Sequence, residues 1–334
     1  MNDATEGRLP VTVLTGFLGS GKTTLLGALL KRPELSRTAV IVNEFGEIPL
    51  DHELVESSDE QIVQLSGGCL CCALRSDLGI TLAGLLDRRA RGELPPFERI
   101  VIETSGLADP APILHQLMTD PGLASRLAVG RTVTMVDAPT GEATLGRHPE
   151  ARKQAAMADR LLITKGDVAA ERVPALRAAL AALNPTAVQA DCLHGGIDPA
   201  LVIGDAEEPE RALPESVLLE AGHSDGVGSF AIVRDAPIGA VALLLFLQTL
   251  AEVCGERLLR VKGIVALAEA PDRPAAIHGV QHVFHEPRWL EGWPSADRRS
   301  RLVFITQGLS QAWVETLLGV IEAEAAEAGS GRAH

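Results

Sequence analysis

VTVLTGFLGSGKTTLLGALL, residues 11 to 30, is the stretch whose reading decides the fold. Val11 to Leu14 is an apolar run with the length of a buried strand, and Leu25 to Leu30 is an apolar, helix-forming run. Between them, Gly16-Phe17-Leu18-Gly19-Ser20-Gly21-Lys22-Thr23 fits G-x-x-x-x-G-K-[ST] at every fixed position. Strand, glycine loop and helix start follow in the order that a phosphate-cradling loop requires. Glycines at 16, 19 and 21 let successive backbone N–H groups turn inward, and the positive end of the following helix favours an anion there. Lys22 adds a full charge toward the β- and γ-phosphates, and the Thr23 hydroxyl is placed to ligate Mg²⁺.

Composition narrows the setting. A chain of 334 residues with 46% hydrophobic content has room for about two domains with substantial cores. Aromatics make up only 3% and Tyr is absent, so those cores are aliphatic, and base-stacking platforms for single-stranded nucleic acid are not expected. A net charge of −14 without a dense Lys/Arg tract disfavours nucleic-acid backbones and anionic membranes as partners. No stretch has the length and apolarity of a bilayer span, the opening MNDATEGRLP has no apolar signal core, and the five cysteines do not form a secreted disulfide framework. A cytoplasmic protein is expected.

Outward from the glycine loop, short apolar strands are expected at Ala39–Val42, Ile62–Leu65, Arg99–Glu103, Arg131–Asp137 and Arg160–Thr164, with Ala187–Ala190 closing the series. Helical spacing of Leu78, Leu82, Leu85 and Leu86 marks one of the intervening helices. Continuously apolar strands alternating with helices predict an α/β fold with a mostly parallel, doubly wound sheet. Residues 204–228, acidic and rich in Gly and Pro, read as a linker after a first domain at 1–203. A smaller α+β domain at 229–329 is expected to hold an antiparallel sheet. Its strands fall near 230–234, 258–268, 274–284 and 301–306, and its helices over 239–253 and 311–328.

Three constellations carry chemistry. Glu103 ends a hydrophobic strand in Ile100-Val101-Ile102-Glu103-Thr104-Ser105-Gly106, where a phosphate-loop enzyme places the carboxylate that holds Mg²⁺; Gly106 then offers a backbone N–H toward a γ-phosphate. Thr164-Lys165-Gly166-Asp167 resembles the N-K-x-D motif of GTPases. Asp167 is suited to accept from N1–H and the 2-amino group of guanine, and Lys165 to lay its stem over the base. Thr164 stands where that motif has Asn, which removes an amide that usually braces the phosphate loop. Cys69, Cys71 and Cys72, behind Gly67 and Gly68, put three thiols within four positions and suit Zn²⁺ or another thiophilic ion with a further ligand position open. Small-residue packing and a redox pair are the competing readings of that cluster. Cys192 and Cys254 are isolated and read as core filling, and His52 and His194 as ordinary loop residues. His278 and His282 fall on one face of an expected strand and His285 on the other.

With these residues in place, the chain resembles the CobW-type metallochaperone GTPases along nearly its full length. The likeness rests on Gly16–Thr24, Asn43-Glu44-Phe45-Gly46-Glu47, Gly67-Gly68-Cys69-Leu70-Cys71-Cys72, Glu103–Pro110 and Thr164–Asp167, and in the second half on Arg260–Ile264 and Gly279–His282. The resemblance implies slow GTP hydrolysis, with Gly16, Gly19, Ser20, Gly21, Lys22, Thr23 and Thr24 around the phosphates and Lys165 and Asp167 at the base. It implies Lys22 and Glu103 as catalytic residues, with Thr23 and Glu103 on Mg²⁺. It further implies Zn²⁺ or a related divalent ion at Cys69, Cys71 and Cys72, with Glu44 and Glu47 as candidate carboxylates, and delivery to a client metalloprotein or a cofactor-assembly enzyme. Many relatives carry a histidine-rich tract, whereas the linker here has only His223. A homo-oligomer is compatible with this reading. The rival is a phosphate-loop kinase for a small metabolite, whose γ-phosphate arginines would have to come from Arg75, Arg88 and Arg89.

Overall fold

The computed structural model describes residues 7–42, 62–64, 70–73, 78–204, 226–284 and 287–330. They form two compact units. One runs to Leu180 and resumes at Ala187; the other takes Ala181–Thr186 together with the chain from Gly226 onward.

In the first unit the strands are β1 (Leu9–Gly16), β2 (Thr38–Val42), β3 (Ile62–Gln64), β4 (Leu70–Ala73), β5 (Arg99–Glu103), β6 (Leu127–Asp137), β7 (Arg160–Thr164) and β8 (Val188–Cys192). The helices are α1 (Lys22–Leu29), α2 (Leu78–Ala90), α3 (Ala111–Thr119), α4 (Pro121–Ala124), α5 (Gly141–Arg147), α6 (Pro149–Ala156), α7 (Val173–Leu183) and α8 (Pro199–Val202). The strands make one eight-stranded sheet in the order β3-β4-β2-β5-β1-β6-β7-β8. Every neighbouring pair is parallel except β3 with β4 at the edge. Parallel strands covered on both faces have no wet side, which is why β2 and β7 are buried at every residue. Leu14, Leu25, Leu26 and Leu29 pack with Val133 and Leu162 into the core beneath the glycine loop.

Register sets the site. Leu14 pairs with Glu103, Gly16 with Met135, Asp137 with Thr164, and Thr164 with Cys192. The carboxyl ends of β1, β5, β6, β7 and β8 therefore come level along one edge, and β1 lies at the centre, where connections leave to both sides. Open α/β sheets bind ligands at that point.

One expectation needs correction. The cysteine segment reads as a loop after a third strand, but the backbone of Leu70-Cys71-Cys72-Ala73 is itself a strand. It pairs parallel with Ala39–Val42 of β2 and antiparallel with Ile62–Gln64 of β3. Four residues are too few for a strand period to show in sequence, and the pairing comes from the two neighbouring ladders.

The second unit contains β9 (Val227–Arg234), α9 (Ala240–Cys254), β10 (Leu258–Leu267), β11 (Ala270–Val280), β12 (Val283–Phe284), β13 (Arg288–Trp289), β14 (Ser300–Gln307) and α10 (Gln311–Ser330). Its sheet runs β12-β11-β10-β14-β9, antiparallel at each pairing, with β13 on β11. Phe230 stacks on Phe304 at 5.3 Å between ring centres, and Phe246 meets Phe304 edge-on at 6.4 Å, forming the aromatic centre of an otherwise aliphatic core. The expected strand over 274–284 is broken. Gly279 pairs with Phe284 and Val280 with Val283, so Gln281 and His282 form a two-residue hairpin turn with Gln281 at φ 51°. His278 and His282 thus do not share a face of one strand, and His285 lies outside the described residues.

Candidate nucleotide site

Helix α1 starts directly from Gly21, whose φ of 97° is left-handed, and no side chain caps its first turn. Its leading N–H groups are thus left for a ligand, and no acidic residue occupies that turn. Gly16 has φ 141°, and a Cβ there would lie 2.5 Å from the Met135 carbonyl oxygen, so the start of the loop accepts no side chain. Ser20 is 1% exposed, and its Oγ has no hydrogen-bond partner. Lys22 is also buried, and its ammonium donates to the carbonyls of Gly16 at 2.7 Å and Phe17 at 3.3 Å. A cation folded over its own loop, above uncapped helix N–H groups, is a built anion site.

On the β5 side, the Thr23 hydroxyl donates to Glu103 Oε1 at 3.1 Å. Glu103 is 5% exposed. A hydroxyl and a carboxylate side by side at the mouth of a phosphate loop are hard oxygen donors of the kind Mg²⁺ takes, so the residues present fit that ion. The next residue, Thr104, donates from its hydroxyl to that of Thr15 at 2.8 Å, fixing β5 to β1 beneath the site. Gly106 then lies against the phosphate loop itself: a Cβ on it would come within 2.5 Å of Leu18 Cδ2 and 2.8 Å of Leu18 N.

On the β7 side, the structure reverses one reading. The Thr164 hydroxyl, buried, donates to the carbonyl of Ser20 at 2.8 Å. A hydroxyl on a shorter side chain therefore braces the phosphate loop where an asparagine amide was missed. Lys165, at φ 54°, crosses to the same loop and donates to the Gly19 carbonyl at 2.7 Å. Asp167 is partly exposed, with Oδ2 3.2 Å from His194 Nε2. His194 and Gly195 belong to a turn after β8 in which both have positive φ, and Gly195 packs so closely on α1 that a Cβ would lie 2.6 Å from Ala28 Cβ. His194 is otherwise the loop-surface residue expected from the sequence, with its side chain 84% exposed.

The family model for the CobW/HypB/UreG nucleotide-binding domain matches residues 10–190, and that for the cobalamin synthesis protein cobW C-terminal domain matches residues 227–321. The chain belongs to the CobW family. Among curated CobW relatives, the zinc chaperone YjiA of Escherichia coli is 33% identical over 301 residues, covering 89% of this chain and 93% of that one. The zinc chaperone CobW of Pseudomonas aeruginosa is 33% identical over 357 residues, covering 94% and 92%. The crystal structure of Zn(II)-bound YjiA GTPase from E. coli superposes with a TM-score of 0.78 at 30% identity, covering 96% of this chain and 99% of that one.

Of the residues expected to hold the metal, Glu44, Glu47 and Cys69 lie outside the described residues, and Cys71 and Cys72 are placed by their backbone alone, on β4. That strand is joined through β2 to β5, since Val42 pairs with Ala73 on one side and Glu103 on the other. The two remaining cysteines are core residues: Cys192 is 1% exposed beneath the nucleotide site, and Cys254 is 3% exposed at the end of α9. Burial raises both thiols above the usual range, so they stay protonated and inert. Among the described residues, no group of three or more His, Cys, Asp or Glu side chains is arranged to hold a metal.

Proposed function

We propose that this CobW protein is a GTP-hydrolysing metallochaperone that carries Zn²⁺, or a related divalent ion, as cargo for a client metalloprotein or cofactor-assembly enzyme in the cytoplasm. Supporting this reading, both close relatives are named zinc chaperones, and the structurally similar YjiA is described as a Zn(II)-bound GTPase. The observation that carries it is one loop held from two sides. Thr23 and Glu103 meet at 3.1 Å on the β5 side, and Thr164 holds the Ser20 carbonyl at 2.8 Å on the β7 side. The group suited to read the base and the pair suited to Mg²⁺ are thereby indexed to the same phosphate cradle.

Each residue then has a task. The α1 N–H groups with Gly16, Gly19, Ser20, Gly21 and Thr24 surround the phosphates, and Lys22 swings its ammonium from the loop carbonyls onto the β- and γ-oxygens. Thr23 and Glu103 would hold Mg²⁺, which when bound would supply positive charge to neutralise the phosphate oxygens. Asp167 accepts from guanine, which adenine cannot satisfy, and Lys165 covers the base. Cys69, Cys71 and Cys72, with Glu44 and Glu47 as carboxylate candidates, take the cargo ion.

The kinase alternative finds no support in the relatives. Arg88 pairs with Glu93 at 3.7 Å, and Arg89 donates to the Phe97 carbonyl at 3.0 Å and lies over its ring. Both are committed where α2 turns into β5, before that strand begins; Arg75 is outside the described residues. Single-turnover hydrolysis of GTP and ATP by the parent and Lys22→Ala tests the proposal. GTP is expected to turn over in preference to ATP, with a loss of roughly 100-fold or more in the variant, since positioning and charge dominate phosphoryl transfer. Turnover within a few-fold of the parent would sink it.

A further inference from the structure

Residues 104–110 pack against the phosphate loop in front, and behind them lies α6, a helix with no part in the nucleotide motifs. Gln154, on that helix, is 0% exposed. Its Nε2 donates to two carbonyls of the loop, Ala108 at 2.9 Å and Gly106 at 3.2 Å. The main-chain carbonyl of Gln154 accepts from the Thr134 hydroxyl at 2.8 Å, which ties this point of α6 to β6. One residue earlier, Lys153 Nζ meets Asp109 Oδ2 at 2.5 Å, and the other carboxylate oxygen of Asp109 accepts from the Ala111 amide at 2.9 Å. Two successive residues of α6 therefore grip the loop at three points.

The chemistry of that grip is selective. Two converging carbonyls can be met only by a donor with two hydrogens, so the amide nitrogen faces them and Oε1 is left buried without a hydrogen-bond partner. Gly106 has no slack in front, where Leu18 would be struck by a Cβ. Its peptide is thus pinned between Gln154 and the phosphate loop.

We propose that Gln154, assisted by Lys153, is a positioning residue for GTP hydrolysis. It sets the Glu103–Gly106 segment at the distance from the phosphate loop at which that segment can respond to a γ-phosphate. The inference rests on the reading above in which Glu103 serves Mg²⁺ and Gly106 faces the γ-phosphate. GDP, lacking that group, makes no demand on the segment. Loss of the grip therefore separates turnover from diphosphate binding, whereas loss of mere packing would harm both.

The test uses the full-length protein as Gln154→Met, which keeps an unbranched side chain of similar length without a donor, and as Lys153→Ala, whose side chain is only partly buried and whose removal leaves the core intact. Single-turnover GTP hydrolysis, the affinities for GDP and a non-hydrolysable GTP analogue, and thermal unfolding are read for each variant. Gln154→Met is expected to hydrolyse GTP about 10- to 100-fold more slowly, the cost typical of a misplaced catalytic segment, with GDP affinity within twofold of the parent and the preference for the analogue reduced. Lys153→Ala is expected to move the same quantities in the same direction by about threefold to tenfold. Turnover within twofold of the parent in both variants overturns the proposal. So does a GDP affinity that falls in step with turnover, which is the result of a packing defect. Glu103→Gln, assayed alongside, separates the layers. If it keeps Mg²⁺-dependent turnover, the reading beneath the proposal fails with it; if it loses turnover while both α6 variants keep theirs, only the role of α6 is lost.

Discussion

Replacing Thr164 by valine changes one atom of shape and removes the single side-chain hydrogen bond by which β7 holds the Ser20 carbonyl at 2.8 Å. Thr164 and Ser20 are 5% and 1% exposed, so water does not readily take the hydroxyl's place. An unmet buried carbonyl costs about 1–3 kcal/mol. In the nucleotide-free variant the loop can open and let that carbonyl find solvent, so the cost falls when a nucleotide draws the loop closed. Affinity should then drop by about 5- to 150-fold, equally for GDP and GTP, because the brace acts on the loop rather than on the γ-phosphate. Thr164→Ser keeps the hydroxyl and should bind within about threefold of the parent. Titration calorimetry with GDP and a non-hydrolysable GTP analogue measures both. A valine variant that binds within twofold of the parent would refute the idea that the hydroxyl braces the loop.

Two further outcomes are expected. Asp167→Asn should weaken GTP binding and shift preference toward xanthosine triphosphate, since the amide can donate where xanthine carries a carbonyl; competition between the two nucleotides reads this directly, and unchanged GTP affinity would remove Asp167 as the base reader. Burial holds Cys192 and Cys254 above the ordinary thiol value of 9.0, so the folded state keeps protons that the unfolded state releases. Their contribution to stability is intact below pH 9.0 and is lost as pH rises beyond it. Peptide mapping after alkylation at pH 8 should find both unmodified in native protein and modified in denaturant, and native modification would show that they are not core residues.

Much of the fold was legible because its strands are continuous apolar runs. Ile100–Ile102 and Leu161–Ile163 have no polar break, Val11–Leu14 is interrupted only by Thr12, and all are buried in the parallel sheet. The phosphate loop was legible because each glycine answers a local backbone demand. What escaped depends on non-local pairing. The strand through Cys71 and Cys72 exists through its neighbours β2 and β3, and neither is marked within its own four residues. Thr164 reads as a loss when compared with asparagine residue by residue, yet the Ser20 carbonyl, 144 positions earlier, comes close enough for a hydroxyl to reach. Gln154 carries no motif at all, since its partners are main-chain carbonyls that any sequence would supply. The turn at Gln281 and His282 was hidden because the residues on either side have strand character.

Nucleotide control of the proposed cargo site is the central prediction, and zinc affinity in two nucleotide states tests it most directly. The Cys71 and Cys72 strand reaches Glu103 through β2 alone, and Val42 pairs with Ala73 and Glu103 at once. A change at the γ-phosphate end of β5 therefore has a short backbone route to the thiols. Competition with a chelating dye, in GDP or in a non-hydrolysable GTP analogue, should show tighter zinc binding in the GTP form by about 5- to 150-fold, the range of typical coupling energies. By linkage, zinc should tighten binding of the analogue relative to GDP by the same factor, and Cys71→Ser should abolish the difference. Equal zinc affinities in the two nucleotide states would contradict nucleotide control and leave a GTPase that merely carries a metal.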